Sequence, residues 1–373
     1  MNKSKIKKII KESCNSIYSF VILNLYTKPS LLIKLLKKPS KIWEESYFPE
    51  LQRKNKIRIL YDQIYNIFSH GAIDEYYYMY GLDVKRDIKN SDYVIYRDFL
   101  IARDKLNLSN PHNDSSILRN KLFFEAVARS LGIQTPKNIA YSDNGILVPL
   151  HNQNFFSWLT LPKGIFYVKP IDGECGTGIL KLLINDTGIY INEKLVTSDE
   201  LKLYFNEGRY IFQDRLEQHP QMNRIYPNSV NTIRMTTVRN PHTGRIEVLP
   251  PTLRVGAHGS YVDNFSKGGV IVAMDTQSGK LAEWGFFKPM YGFKSQTHPD
   301  TNIKFSTFKV PFYEEAKAKA IFFHSFLNLH SIGWDIAITK VGPVFIEGND
   351  NWEINLPQTF ENPIKKDFNR LFK

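Results

Sequence analysis

The sequence predicts an α+β chain in which antiparallel hairpins follow a helical region and a basic helical arm, and three observations carry that expectation. The positive charge is concentrated at the N-terminus. Apolar residues recur at helical spacing up to about residue 131. From residue 137 the pattern gives way to short β-branched and aromatic runs separated by turn signals. A chain of 373 residues with 42% hydrophobic and 13% aromatic content buries a sizeable core in two or three units, which excludes the disordered and fibrous classes.

The arm comes first. Up to Lys41 the chain holds ten lysines, no arginine and a single acid, Glu12, for a net charge of +9, whereas the remainder holds 39 basic and 36 acidic residues, or +3. The formal +12 therefore belongs to the arm and is not a nucleic-acid footprint spread over the body. Residues 1–55 read as two helical pieces separated by Lys28-Pro29-Ser30. In the second piece Leu31, Leu32, Ile33, Leu35 and Leu36 are interleaved with Lys34, Lys37 and Lys38 before Pro39 ends it. Such a segment either lies on an anionic membrane surface or docks its apolar side on the body and solvates its lysines. The sequence leaves both open. The apolar run over residues 18–26 is nine residues long and contains Ser19 and Asn24, against about 20 for a bilayer crossing. No secretory signal is evident, so the expectation is a cytoplasmic protein with peripheral contact at the inner membrane face. Cys14 and Cys175 are too few for a disulfide framework and fit a reducing compartment.

Residues 56–115 read as a helical region, with Ile57, Ile59, Leu60, Ile64 and Ile67 at helical spacing. The cluster Tyr76, Tyr77, Tyr78 and Tyr80 before Gly81 reads as packing against the next helix rather than a base-stacking surface. Asn120 precedes an amphipathic helix over 121–131, stopped by Gly132 and Pro136. Strands are predicted at 145–150, 165–168, 179–183, 210–212, 232–238, 246–249 and 270–274. A helix over 313–329 precedes two last strands at 335–339 and 343–347.

Three constellations carry chemistry. In the first, Phe166-Tyr167-Val168-Lys169-Pro170 runs into the glycine-rich turn Asp172-Gly173-Glu174-Cys175-Gly176-Thr177-Gly178. Successive backbone N–H groups in such a turn, with a lysine beside them, suit phosphate oxygens, although a glycine cluster between strands is also an ordinary hairpin. In the second, Asp335 opens one strand and Glu347 ends the next, so a hairpin brings both carboxylates to one end, with Asn349 two residues on. Two carboxylates and an amide oxygen are hard ligands suited to Mg²⁺. The third is Asn231-Thr232-Ile233-Arg234, then Arg254, then Asp263-Asn264-Phe265-Ser266-Lys267-Gly268-Gly269, three cations near a Gly-Gly turn.

In this order the features resemble the ATP-grasp superfamily over about residues 110–365. The Asn-Thr-Ile-Arg and Asp-Asn-Phe-Ser-Lys-Gly-Gly motifs look closest to the sugar-transfer-associated branch, with likeness to glutamate-ligase-type members. The resemblance implies an ATP-grasp domain over 116–368, with a nucleotide-gripping lobe at 137–217 and a metal and substrate lobe at 218–368, behind the basic arm at 1–55 and the helical region at 56–115. It implies ATP contacts from Lys121, Lys169, Gly173, Glu174, Gly176, Thr177 and Gly178. Gln213, Asp214, Arg215 and Leu216 would form the hinge along the adenine edge, and Glu217 would hold the ribose. Asp335, Glu347 and Asn349 would hold two Mg²⁺ ions. Arg234, Arg254 and Lys267 would be catalytic, neutralising phosphoryl charge, and Asn264, Ser266, Gly268 and Gly269 would meet the substrate. Two departures stand out: many members have Glu where this chain has Gln213, and ligases of the D-alanine type carry arginine where it has Gly333. Arg234 or Arg254 is expected to supply the missing cation.

The activity so implied is an ATP-dependent carboxylate–amine ligase working through an acyl phosphate, joining an amino acid or other amine to a uronic acid of a surface polysaccharide or its precursor. The alternatives are an ATP-grasp kinase acting on a hydroxyl and a non-catalytic nucleotide-binding module.

Overall fold

A computed structural model describes residues 26–37, 44–108, 110–150, 157–173, 178–359 and 362–373. Internal contacts divide the chain into two units, residues 1–105 with 358–373, and residues 106–357.

The first unit is helical. Its described elements are α1 (Lys28–Lys37), α2 (Lys56–His70), most of α3 (Tyr96–Leu108) and the final helix of the chain, Lys365–Phe372. Asn55 caps α2 by accepting from the Arg58 N–H, and Gly71, in the left-handed region, ends it. α1 lays Leu31 and Leu35 against Leu60, Ile64 and Ile67 of α2, while its Lys34 and Lys37 stay exposed. The tyrosine cluster is core. Tyr77, Tyr78 and Tyr80 are buried, Tyr80 stacks on Tyr93 with ring centroids 5.0 Å apart, and the Tyr77 hydroxyl donates to Asp62 at 2.9 Å. Gln358 joins the C-terminal segment to this unit by exchanging both amide hydrogen bonds with the Val94 backbone, at 2.8 and 3.0 Å.

The second unit begins with α4 (Ser115–Arg119) and α5 (Lys121–Ser130) and then builds two antiparallel sheets. The first sheet comprises β1 (Asn138–Asp143), β2 (Ile146–Pro149), β3 (Gly164–Pro170), β4 (Leu180–Asn185), β5 (Gly188–Ile191), β6 (Lys194–Val196) and β7 (Arg209–Asp214), in the order β2-β1-β7-β3-β4-β5-β6. Helix α6 (Ser198–Tyr204) carries a reciprocal Thr197–Glu200 capping box. Its core stacks Trp158 on Phe205 and sets Phe212 edge-on against both.

Helix α7 (Pro220–Ile225) leads into the second sheet: β8 (Thr232–Arg239), β9 (Ile246–Val248), β10 (Thr252–Val255), β11 (Val270–Met274), β12 (Leu281–Phe286), β13 (Lys294–Ser295), β14 (Ser331–Thr339) and β15 (Gly342–Asn349). Its order is β13-β12-β11-β10-β8-β14-β15, with β9 on β8. Helix α8 (Tyr313–Ser325) packs Phe323 on Trp334 at 4.8 Å, and α9 (Lys365–Phe372) closes the chain. β1, β5, β6, β10, β12 and β13 escape the sequence pattern because polar or glycine residues interrupt them, so their pairing comes from neighbours rather than propensity.

Candidate active site

Every residue of β14 is buried, because β8 and β15 flank it in the sheet and its side chains pack on both faces. The strand therefore starts at Ser331, and Asp335 lies at its middle rather than opening it, which corrects the sequence expectation. Register places Asp335 opposite Arg234 of β8 and opposite Glu347 of β15. On β10, Arg254 pairs with Thr232, two residues from Arg234, so the period of two puts both arginines on one face. Arg234 donates from Nε and Nη2 to the two Asp335 oxygens at 2.5 and 3.0 Å. Arg254 donates from Nη1 to Asp335 Oδ2 and from Nη2 to Asp263 Oδ1, both at 2.9 Å. The second Asp263 oxygen accepts from the Thr232 hydroxyl. Asp335 is thus held by two guanidinium groups, and Asp263 orients one of them.

The electrostatics follow from this ladder. Burial alone would raise the Asp335 carboxyl, but the Arg234 and Arg254 charges outweigh it and hold the group at about 2. Burial, and then the facing Asp335 charge, push Glu347 up. Burial and Lys121 lower Lys169 to about 8, against an opposing pull from Glu347. A buried carboxylate and a half-buried one facing each other across a ladder are a site that a divalent cation relieves, and this donor set fits Mg²⁺. Asn349 turns its amide nitrogen toward Glu347 Oε1 and the Gly333 carbonyl, each at 3.4 Å. Among the described residues no group of three or more His, Cys, Asp or Glu side chains forms a metal cluster. The set is two carboxylates and an amide.

Gly333 sits where no side chain fits. A Cβ there would stand 2.5 Å from the Trp352 Cβ and 3.7 Å from the Arg234 Cδ. The space that a longer side chain at 333 would need is filled, and the two guanidinium groups on Asp335 come from β8 and β10.

In the first sheet, Lys169 near the end of β3 donates to Gln213 Oε1 at 2.7 Å. Gln213 donates to Asn138 Oδ1 at 3.0 Å, and Asn138 donates to Glu125 Oε2 at 2.7 Å. This chain sets the direction of both amides, since each must present oxygen to one partner and nitrogen to the next. The Gln213 side chain is therefore committed to Lys169. The Asp214 and Arg215 N–H groups donate to the Lys137 and Ile165 carbonyls, while Arg215, Leu216 and Glu217 line a cavity of about 250 Å³ with Tyr167, Val230 and Lys340. Lys121 donates from Nζ to the Gly173 carbonyl at 2.6 Å and so clamps the root of the glycine turn. Gly173 and Gly178 both press on the Pro170 ring, where a Cβ would approach within 3.0 and 3.1 Å. Glu174, Cys175, Gly176 and Thr177 lie outside the described residues.

The Gly-Gly loop is tied to the same ladder. Asn264 accepts at Oδ1 from the Ser266 N–H, and its carbonyl accepts from the Lys267 and Gly269 N–H groups. Gly268 adopts φ +91, and a Cβ on Gly269 would lie 2.5 Å from the Asp263 carbonyl oxygen, so both positions need glycine. Lys267 is exposed. Asp263, Thr232, Asn138 and Glu125 are not among the sequence-predicted site residues: Asp263 and Thr232 stand inside the quoted motifs, whereas Asn138 and Glu125 reach the site only through the tertiary contact of β1 and α5. Asn231 is structural: it is fully buried, donates to the Met222 and Tyr226 carbonyls and Gln218 Oε1, and fixes the start of β8.

A family model described as sugar-transfer associated ATP-grasp matches residues 102–366. No curated protein matches the sequence closely enough to count as a relative. Similar solved structures include the ATP-grasp ligase PsnB complexed with precursor peptide PsnA2 and AMPPNP, at 13% identity over 65% of this chain and 52% of that one, TM-score 0.35. The L-amino acid ligase from Bacillus licheniformis shares 13% identity over 65% of this chain and 42% of its own, TM-score 0.36. The D-alanine-D-alanine ligase from Coxiella burnetii shares 9% over 63% and 48%, TM-score 0.33. The chain spans about half the length of these structures, and likenesses this distant carry no argument about activity. The family match covers well over half of the chain, including the Lys169 strand, the Arg234–Asp335–Arg254 ladder and the Gly-Gly loop, and the chain belongs to the sugar-transfer-associated ATP-grasp family.

Proposed function

We propose that the chain is an ATP-dependent ligase that joins an amine, such as an amino acid, to a carboxylate, and that the carboxylate is a uronic acid of a surface polysaccharide or its precursor. The observation that carries this reading is Asp335, held by two guanidinium groups and faced by Glu347 across the ladder. The resemblance of the glycine turn and the family name support the nucleotide and the sugar. Lys169, Lys121 and the turn from Gly173 to Gly178 would bind the ATP phosphates, and Leu216 and Glu217 would line the nucleoside side. Asp335, Glu347 and Asn349 would hold two Mg²⁺ ions, which when bound neutralise phosphate charge.

The reaction needs positioning and electrostatics more than a base. A substrate carboxylate oxygen attacks the γ-phosphorus, the bond to ADP breaks, and an acyl phosphate forms. The amine attacks its carbonyl carbon, the C–N bond forms, phosphate leaves and the amine loses a proton. Each guanidinium carries five N–H donors, more than the carboxylates use, and the remainder serve the transferred phosphoryl group. Burial disfavours the Lys169 charge, and an adjacent phosphate would favour it.

The test is ADP release across a panel of amino acids with glucuronic and galacturonic acid donors. ADP formation that requires both carboxylate and amine is the expected result. A phosphorylated product that persists without amine would point to a kinase, and nucleotide binding with no ADP from any pair would point to a non-catalytic module.

A further inference from the structure

Helix α2 exposes an apolar stripe that the packing of its own unit leaves uncovered. Ile57, Tyr61, Tyr65 and Phe68 are 79%, 55%, 53% and 54% exposed, and their spacing places them on one side of the helix. Two other sides of α2 are occupied. Leu60, Ile64 and Ile67 meet α1, and Ile59, Asp62, Gln63 and Asn66 are buried. The stripe is therefore not the seam left for α1, because α1 already has its own. On α1 the solvent side adds Ile33 and Leu36, 51% and 58% exposed, beside the exposed Lys34 and Lys37.

We infer that the α2 stripe, with the exposed side of α1, is a docking surface for an anionic lipid bilayer. The apolar component is aliphatic and aromatic, with two tyrosines whose rings suit the boundary between acyl chains and headgroups. The electrostatic component is the exposed Lys34 and Lys37 of α1 with Lys56 and Arg58 at the start of α2, in a chain whose residues 1–41 carry +9 in sequence. Anionic headgroups match this charge, whereas a second copy of the chain would set two such basic surfaces against each other and repel. No helix among the described residues is long and apolar enough to cross a membrane. The inference is independent of the reaction proposed above.

The test uses the full chain in vesicle co-sedimentation, with phosphatidylcholine alone and with phosphatidylcholine containing phosphatidylglycerol. Binding to the anionic vesicles that falls at least tenfold between low and high salt is the expected result, with little binding to the neutral ones. The pair Tyr61→Ser and Phe68→Ser should weaken binding at least tenfold, and Lys34→Glu with Lys37→Glu should do the same, with melting curves unchanged because all four side chains are exposed. The inference is overturned if wild type ignores anionic vesicles or if the serine pair binds them as wild type does. It is equally overturned if sedimentation shows a wild-type dimer that the serine pair splits, since the face would then be an interface between copies.

Discussion

Asp335 and Glu347 face each other in one ladder, yet their isosteric neutralisation should have opposite effects on stability. Asp335→Asn removes the carboxylate that two nearly buried guanidinium groups share, leaving Arg254 its bond to Asp263 and Arg234 with neither of its two bonds to a carboxylate. Removing one partner of a buried ion pair costs about 3–5 kcal/mol. At about 2–4 °C per kcal/mol for a unit of this size, the melting temperature should fall by about 6–20 °C. Glu347→Gln acts the other way, because burial and the facing Asp335 already push that carboxyl up. Removing its charge relieves a like-charge contact, so melting should stay within about 2 °C of wild type or rise. Both variants should lose ADP formation by more than ~100-fold, since even partners one step removed from a metal cost 10–100-fold. Calorimetry with ADP release on the same preparations reads both effects. If Glu347→Gln melts as far below wild type as Asp335→Asn, the electrostatic reasoning is wrong, and if it keeps wild-type ADP release, the metal assignment is wrong.

Three further outcomes follow from the same geometry. Lys169 has a folded value of about 8, below its ordinary 10.5, so its charge destabilises the fold below about pH 8 and this penalty disappears as pH rises toward 10.5. Wild type should accordingly gain on Lys169→Met across that window by up to ~3 kcal/mol, and a constant difference in melting temperature from pH 7 to 10 would refute the shift. Asp263→Asn should lower kcat by about 10–100-fold with little change in the KM for ATP, because it loosens Arg254 through a lost charge-assisted bond, and an unchanged kcat would remove Asp263 as a positioning residue. Gly333→Ala should cost about 1–3 kcal/mol by crowding Trp352, and a melting temperature equal to wild type would show that the site can give.

The sequence by itself determined the kind of molecule. Periodicity separated helical from β-rich parts, the lysine count isolated the arm, and the spacing of Lys169, Arg234, Asp335 and Glu347 among apolar runs marked the candidate site, because a charged residue in a buried strand needs a partner. Only tertiary structure decided which partner each one has. Strand register, which depends on neighbours up to 101 residues away in sequence, put Arg234 and Arg254 on Asp335 and made Asp263 the support of Arg254. The Gln213 side chain turned inward to Lys169 for the same reason: Asn138 and Glu125, from a strand and a helix that local pattern does not connect, leave its amide one orientation. Local sequence sets propensity and face. Pairing between distant strands sets which charges meet, and the chemistry proposed for this site depends on that pairing.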